Sequence, residues 1–153
     1  MSHDYTLRVA TAEDYDFLYQ LHAATIRPAV EATWGWDESY QADRFRQHFI
    51  AAANQIIVAG DEDVGVLKLE ERDGDCFLGL IEIVPPYQSR GLGTEVIRDV
   101  MAGAFGRGQA VTLHVLKANP GARRLYERLG FQVVERREER YVMRAAPPSQ
   151  EEA

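Results

Sequence analysis

Cysteine is nearly absent from this sequence, whose 153 residues include only Cys76. A single cysteine cannot form an internal disulfide, and it is too few for a zinc site built from several thiolates. The histidines are too scattered for a local metal-binding motif, because none lies three to five residues from another. They are His3, His22, His48 and His114. The sequence therefore predicts a protein without a bound metal.

Long apolar runs are missing as well. No stretch approaches the roughly 20 consecutive apolar residues that a membrane-spanning helix needs. The first residues, Met1 to Tyr5, do not show the basic and then apolar order of a signal peptide. We therefore expect a cytoplasmic protein that does not bind membranes.

Length and composition favour one folded domain. The hydrophobic fraction of 46% is typical of a globular chain, and 153 residues are enough for one sizeable core. We predict a single domain over residues 1–145, followed by a flexible polar tail over residues 146–153.

Positive charge is scarce and unevenly placed. The net charge is −7, and nucleic-acid phosphates need clustered positive charge, so we do not expect a nucleic-acid partner. Residues 1–85 carry 16 acidic and 6 basic side chains, a net charge of −10, whereas residues 86–137 carry 4 and 9, a net charge of +5. Either the first part favours a cationic ligand and the second an anionic one, or both are only solvated surfaces.

Periodicity predicts strands alternating with helices. A first helix follows Thr11 and should be kinked or divided at Pro28, and a second runs from an N-cap at Asp37 to about Ala53. Two later helices are predicted over residues 92–105 and 122–129. Strands are predicted over residues 5–9, 56–59, 64–69, 76–84, 111–116, 131–134 and 140–143. The order predicts an α/β (α+β) fold around one mixed sheet.

The clearest motif follows the fourth predicted strand, where Gln88-Ser89-Arg90-Gly91-Leu92-Gly93-Thr94 opens a helix. Glycines let the backbone turn tightly and leave its N–H groups uncovered, and a helix N-terminus adds free donors. Arg90 adds a full positive charge. The run therefore predicts a pyrophosphate site, although an ordinary glycine-bearing turn is the alternative.

Two other phosphate-binding loops fit this run poorly. A dinucleotide-binding fingerprint needs a third glycine where this chain has Val96. A nucleoside-triphosphate loop needs Gly-Lys-Ser/Thr, which is absent.

A second motif lies downstream, over residues 115–131, and with the loop it resembles the GNAT superfamily of acyl-coenzyme A N-acyltransferases. The run Gln88–Gly93 looks like that family's Gln/Arg-x-x-Gly-x-Gly/Ala loop. The second signature is an asparagine, an alanine three residues on, then Leu-Tyr and finally Gly-Phe. It is matched by Asn119, Ala122, Leu125-Tyr126 and Gly130-Phe131. The resemblance covers about residues 4–144.

The resemblance implies a mixed sheet of about seven strands flanked by about four helices. In that fold the two central strands splay, and the pantetheine arm of acetyl-coenzyme A lies between them. It also implies direct attack by an amine on the acetyl thioester, with Tyr126 as the proton donor to the departing thiolate. The alternative is that Tyr126 is a core residue on the stripe of the last helix.

Further residues acquire roles from the same resemblance. Backbone groups of Ile83 and Val84 are expected to bond the pantetheine, and Asn119 to bond it or order the site. Arg123 and Arg124 are expected at the outer phosphates, unless they form only a solvated helix face.

The general base has two candidates. Glu82 lies in an otherwise apolar strand, where loss of hydration makes a carboxylate a stronger base, and it would act directly or through a water. Alternatively, Glu82 points to solvent or pairs with an arginine. His114 stands where some family members carry a glutamate, five residues before the asparagine, and imidazole is a suitable base. His114 is ranked second, because a packing role explains its position equally well.

The acceptor is expected to lie against the first two helices and the loop between them. That region holds Trp34, Trp36, Asp37 and Glu38. Aromatic rings enclose alkyl chains or lie over cations, and carboxylates attract ammonium groups, so a cationic amine or a lysine side chain is favoured. Alternatively, Asp37 only caps a helix and the tryptophans only pack.

The sequence as a whole predicts a single-domain N-acetyltransferase that uses acetyl-coenzyme A, and its acceptor is the primary amine of a small molecule, of a lysine side chain or of a protein N-terminus. The alternatives are a non-catalytic acyl-coenzyme A sensor on the same fold and a structural subunit. A homodimer is expected by analogy alone.

Overall fold

The computed structural model describes residues 5–88 and 90–148. The strands are β1 (Tyr5–Val9), β2 (Gln55–Ala59), β3 (Glu62–Arg72), β4 (Asp75–Ile83), β5 (Val111–Leu116), β6 (Gln132–Arg136) and β7 (Arg140–Ala145). The helices are α1 (Tyr15–Thr33), α2 (Glu38–His48), α3 (Leu92–Gly106) and α4 (Pro120–Arg128).

The seven strands form one mixed sheet in the order β1-β2-β3-β4-β5-β7-β6. Strand β4 pairs with β5 in parallel, at Cys76 with Val111 and at Phe77 with Thr112. The pairs β1–β2, β2–β3, β5–β7 and β6–β7 are antiparallel. A mixed seven-stranded sheet with four helices confirms the predicted fold class.

The described residues divide into two compact units. The first comprises residues 5–68, 80–88 and 90–93, and the second comprises residues 69–79 and 94–148. The single domain over residues 1–145 and the tail from residue 146 stay predictions. Within the described part of the chain, no helix is both long enough and apolar enough to cross a bilayer.

The first unit packs helix α1 against its strands through apolar side chains on one face of the helix. Leu18 and Leu21 of α1 are buried together with Ile56 of β2 and Val66 of β3. Phe45 on α2 extends this cluster, because its ring contacts aromatic rings of α1. The three- and four-residue spacing of apolar side chains therefore decides which face of α1 is covered.

We predicted that Pro28 kinks or divides helix α1; the helix continues through it, so the division is wrong and a kink stays a prediction. Proline removes the hydrogen bond to the carbonyl of the residue four positions earlier, which is Ala24. Both Pro28 and Ala24 are exposed, and water can therefore solvate that carbonyl. Packing of the opposite face, where Ala29 and Val30 are buried, holds the helix together.

Helix α2 starts as predicted and ends early. The Asp37 side chain accepts a hydrogen bond from the Tyr40 N–H at 3.0 Å, which confirms the N-cap. The helix ends at His48 instead of about Ala53, because Phe49 is extended, with φ −73° and ψ 121°. A separate 3₁₀ turn then covers Ala51–Ala53.

The connection from β1 to α1 is held by the buried carboxylate of Asp14. Arg8 donates to both carboxylate oxygens, at 2.8 and 3.0 Å, and the Thr11 N–H donates at 2.8 Å. The hydrogen bonds from Arg8 are the largest cause that lowers the pKa of Asp14 from its ordinary value.

We expect Asp14→Asn to lower the free energy of unfolding at pH 7 by about 2 kcal/mol, because charge-assisted hydrogen bonds are lost. The folded-state pKa of Asp14 lies below the unfolded value of about 3.9, so its contribution is present above that pH. The contribution is lost as pH falls through the folded value. Urea unfolding of the native protein and of Asp14→Asn, at pH 7 and at about pH 2, measures this contribution to the free energy of unfolding. Equal differences at both pH values, or an equal loss in exposed Asp16→Asn, would contradict this account.

The second unit is built around β5, whose inward residues Val111, Leu113 and Val115 are buried. The Asp75 carboxylate accepts from the Ala110 N–H at 3.2 Å and from Arg144 at 3.3 Å, which ties β4 and β7 to the start of β5.

Candidate active site

The predicted phosphate loop leads from the end of β4 into α3. Gly91 has φ +84°, a left-handed conformation that suits glycine, and α3 begins at Leu92. Arg90 is exposed, and its guanidinium carbon lies 5.2 Å from the centre of the Tyr87 ring. Ser89, which we predicted to bind the cofactor, lies outside the described residues.

These features fit the pyrophosphate of coenzyme A. An exposed glycine turn that opens a 15-residue helix presents backbone donors, and Arg90 adds a positive charge. Leu92 is 1% exposed and anchors the start of α3 in the core, so its predicted contact with the cofactor stays a prediction. Gly93 and Thr94 follow in the first turn of α3.

The backbone at the end of β4 is already bonded within the protein. The Val84 N–H donates to the Val64 oxygen at 2.9 Å, and the Val84 oxygen accepts from the Tyr87 N–H at 2.9 Å. The Gln88 side chain donates to the Ile83 oxygen at 2.8 Å. Pantetheine contacts of Ile83 and Val84 stay predictions, and a bond from the Val84 N–H would have to replace the one to Val64.

Glu82 is the most deeply buried acidic side chain near the end of β4, at 2% exposure. Its Oε2 lies 2.8 Å from Nδ1 of His22, which comes from α1. Its Oε1 is buried and has no hydrogen-bond partner among the described residues. Burying a carboxylate with a single partner is costly, so such a group indicates a functional site more than a stabilising one.

His22 was not predicted from the sequence. Its ring is 27% exposed and lies 5.5 Å from the Phe45 ring, tilted by 33°. His22 is 60 residues from Glu82 in the sequence and belongs to no motif that we recognised. The pair therefore becomes visible only when α1 packs against the end of β4.

Gly65 of β3 lets this strand approach the backbone of Glu82. A Cβ atom on Gly65 would lie 2.5 Å from the backbone carbonyl oxygen of Glu82 and 3.0 Å from Cδ1 of Ile83. The alternation of apolar residues in β3 does not signal this contact, because it depends on the neighbouring strand.

In the second unit, Tyr126 lies half-buried on α4 with its ring edge-to-face against Phe131, 5.7 Å between centres. Burial raises the pKa of the Tyr126 hydroxyl above its usual value. The phenol therefore stays protonated at neutral pH, as a proton donor must.

His114 lies half-buried on β5, and its ring packs edge-to-face on Phe77 at 5.2 Å. Burial is the main cause that lowers the pKa of His114, and Arg137 and Arg140 lower it further. The ring is therefore neutral at pH 7. Its contact with Phe77 supports the packing role of His114, which was the alternative to its role as a base.

The remaining residues of the second unit that we predicted to bind the cofactor lie at the start of α4. Asn119 Oδ1 accepts from the Ala122 N–H at 3.2 Å, so this asparagine caps the helix. The Arg123 guanidinium lies 4.4 Å from the Tyr141 ring centre, whereas Arg124 is exposed. Their predicted phosphate contacts stay predictions.

The predicted acceptor residues have partners within the first unit. Glu38 accepts from Trp36 Nε1 and from the Tyr19 hydroxyl, each at 2.8 Å. Both hydrogen bonds lower the pKa of Glu38 below its usual value, and the bond from Trp36 is the larger cause. The guanidinium of Arg27 lies 5.3 Å from the Trp36 ring centre, where a cationic substrate was expected.

The other two acceptor residues differ in their surroundings. Asp37 acts as the N-cap already described, and Trp34 is 52% exposed. Binding of the acceptor to this region stays a prediction. Among the described residues, no three His, Cys, Asp or Glu side chains are grouped to hold a metal ion.

Comparison with known proteins assigns the family. The model of the Acetyltransferase (GNAT) family matches residues 15–131, which is more than half of the chain. The chain belongs to the GNAT acetyltransferase family. No curated protein shows significant sequence similarity to it.

Solved acetyltransferases share the fold of this GNAT protein. The PaiA N-acetyltransferase from Thermoplasma acidophilum, in complex with coenzyme A, is 16% identical with a TM-score of 0.71, covering 94% of this chain and 99% of that one. The ribosomal-protein-S18-alanine N-acetyltransferase from Escherichia coli is 20% identical with a TM-score of 0.64, covering 98% and 99%. Arabidopsis thaliana Naa50, in complex with the bisubstrate analogue CoA-Ac-MVNAL, is 17% identical with a TM-score of 0.59, covering 93% and 98%. At these identities the likeness shows a common fold.

Proposed function

We propose that this GNAT protein is an acetyl-coenzyme A-dependent N-acetyltransferase that acts on a primary amine. The observation that carries the proposal is the buried Glu82 carboxylate in a chain of the acetyltransferase family, since His22 is its one hydrogen-bond partner among the described residues. Structural neighbours described as N-acetyltransferases, one of them in complex with coenzyme A, support the same reaction class.

The chemistry requires a base. A lysine-like amine has a pKa near 10.4, so only about one molecule in 10³ to 10⁴ is neutral at pH 7. That deficit corresponds to about 4 to 5 kcal/mol. Glu82 supplies the negative charge that draws the proton from the amine, either directly or through a neighbouring group. His114 ranks below it, because burial, and after it the charges of Arg137 and Arg140, lower the pKa of its ring and make it a weaker base.

The thioester supplies an activated acetyl group, and its thiolate leaving group needs a proton. Tyr126 provides this proton, because its raised pKa keeps the hydroxyl protonated. The turn at Gly91, the first turn of α3 and Arg90 hold the pyrophosphate. Asn119, Arg123 and Arg124 contribute further cofactor contacts.

The acceptor is a cationic amine or a lysine side chain. The net charge of −10 over residues 1–85 supports this, because it attracts ammonium groups. The exposed ring of Trp34 offers an apolar or cation-binding surface in the same part of the chain.

Two measurements on the same protein test the proposal. We expect acetyl-coenzyme A to raise the melting temperature and a panel of amines to release free thiol from it. Tyr126→Phe should keep the thermal shift and lower the rate of thiol release at least about tenfold. Stabilisation without thiol release from any amine would indicate an acyl-coenzyme A sensor, and no stabilisation would indicate a structural subunit.

A further inference from the structure

A paired histidine and glutamate occupy the interior of the first unit, and only the glutamate was expected there. Glu82 Oε2 and His22 Nδ1 are 2.8 Å apart. Because a carboxylate only accepts hydrogen bonds, the ring donates its Nδ1 proton to Glu82 and leaves Nε2 as an acceptor.

We propose that His22, through Nε2, is the group that takes the proton from the acceptor amine, and that Glu82 is the positioning residue behind it. This inference rests on the proposed N-acetyltransferase function and identifies its base.

Exposure separates the roles of the two residues. The Glu82 side chain is 2% exposed, whereas that of His22 is 27% exposed. An amine entering from solvent therefore reaches the ring more readily than the carboxylate. Phe45 lies against the ring at 5.5 Å, and together with the Glu82 bond it restricts the ring's orientation.

The charge of Glu82 makes His22 an effective acceptor. Among the described residues, the ring is the one hydrogen-bond partner of this buried carboxylate. When Nε2 takes up a proton, the resulting imidazolium lies beside a negative charge shielded from water, where the attraction is strong. A nucleophile, a histidine base and a carboxylate that orients the base form a recurring catalytic arrangement.

The step balances without any further reactant. The ammonium group gives one proton to Nε2, and the freed lone pair forms the C–N bond as the C–S bond breaks with its electrons on sulfur. The sulfur takes a proton from Tyr126, the nitrogen loses its second proton to solvent, and solvent returns a proton to Tyr126. Nε2 then loses its proton to water, so one proton is released per amide and thiol formed.

The decisive variant is His22→Asn. The Asn side-chain amide replaces the Nδ1 donor and keeps Glu82 bonded, but it cannot accept a proton. We expect its kcat to fall about 10²-fold, with the KM for the amine and the thermal shift by acetyl-coenzyme A little changed. His48→Asn is the matched control, because this exposed histidine bonds the Arg44 carbonyl of its own helix.

A rescue experiment adds a readout that a structural role would not affect. His22→Ala opens space beside Phe45, and we expect imidazole in the buffer to restore its thiol release at least about fivefold, with no effect on the native protein. If His22→Asn retains native kcat, Glu82 takes the proton directly at Oε1, and our inference is overturned. Failure of imidazole to rescue would overturn it as well. A native protein that releases no thiol with any amine would instead overturn the proposed function, and the inference with it.

Discussion

Glu82→Gln is expected to lower kcat by about 10²- to 10⁴-fold without unfolding the protein. Glutamine has the shape of glutamate and can still contact His22 Nδ1, which lies 2.8 Å from the present Oε2. The amide has no charge to stabilise an imidazolium, and its NH₂ group favours the opposite ring tautomer.

The same substitution should leave stability unchanged or raise it. The Glu82 carboxylate is 2% exposed, and one of its oxygens has no partner in the part of the chain that the structure describes. Its lost hydration is therefore poorly compensated, and a neutral amide removes that cost. Activity lost with stability kept is typical of a catalytic group.

Steady-state kinetics at saturating acetyl-coenzyme A and urea unfolding measure the two effects. Glu13→Gln, at an exposed position before α1, is the control. A kcat for Glu82→Gln within about threefold of the native value would show that no proton passes through this pair. Retention of the native acidic limb in the pH–rate profiles of both Glu82→Gln and His114→Ala would exclude both candidates.

Gly65→Ala is expected to lower the free energy of unfolding by about 3 kcal/mol. The added Cβ would lie 2.5 Å from the backbone oxygen of Glu82, a distance at which one strand must move. A side chain could rotate away, but a carbonyl fixed in β4 cannot. Shortening Ile57, whose Cδ1 lies 3.2 Å from the same position, should therefore give no rescue.

The consequence of Gly65→Ala extends to activity, because any shift of β3 against β4 disturbs the strand that carries Glu82. Denaturant unfolding and thiol release should both report the change. Gly106→Ala is the matched control, because a Cβ there meets nothing within 4 Å and the residue ends α3. A loss below about 0.5 kcal/mol in Gly65→Ala would show that β3 and β4 separate easily.

Local chemistry made several elements predictable. The alternation in Tyr5–Val9 and Val111–Leu116 locates β1 and β5 to the residue, and Asp37 caps α2 because its carboxylate reaches the Tyr40 N–H three positions on. The glycine turn at Gly91 and the Asn119–Tyr126 spacing were enough to indicate the family, which the match over residues 15–131 confirmed.

Two predictions of helix boundaries, each made from a single stretch of sequence, were wrong because tertiary packing decides these boundaries. Pro28 lies in an unbroken helix, because burial of Ala29 and Val30 outweighs one missing hydrogen bond. Helix α2 was predicted to continue to about Ala53 but ends at His48. Phe49 adopts an extended backbone there, and its side chain packs against the buried core cluster of the first unit.

The sequence by itself determined the order of strands and helices, the glycine turn before α3 and the acetyltransferase family. These depend on neighbours along the chain, since periodicity, capping and turns act over a few residues. Tertiary structure alone decided that His22 contacts Glu82 and that Gly65 lies against the Glu82 backbone. Both contacts join residues far apart in the chain, so their geometry exists only once α1 and β3 have packed against β4.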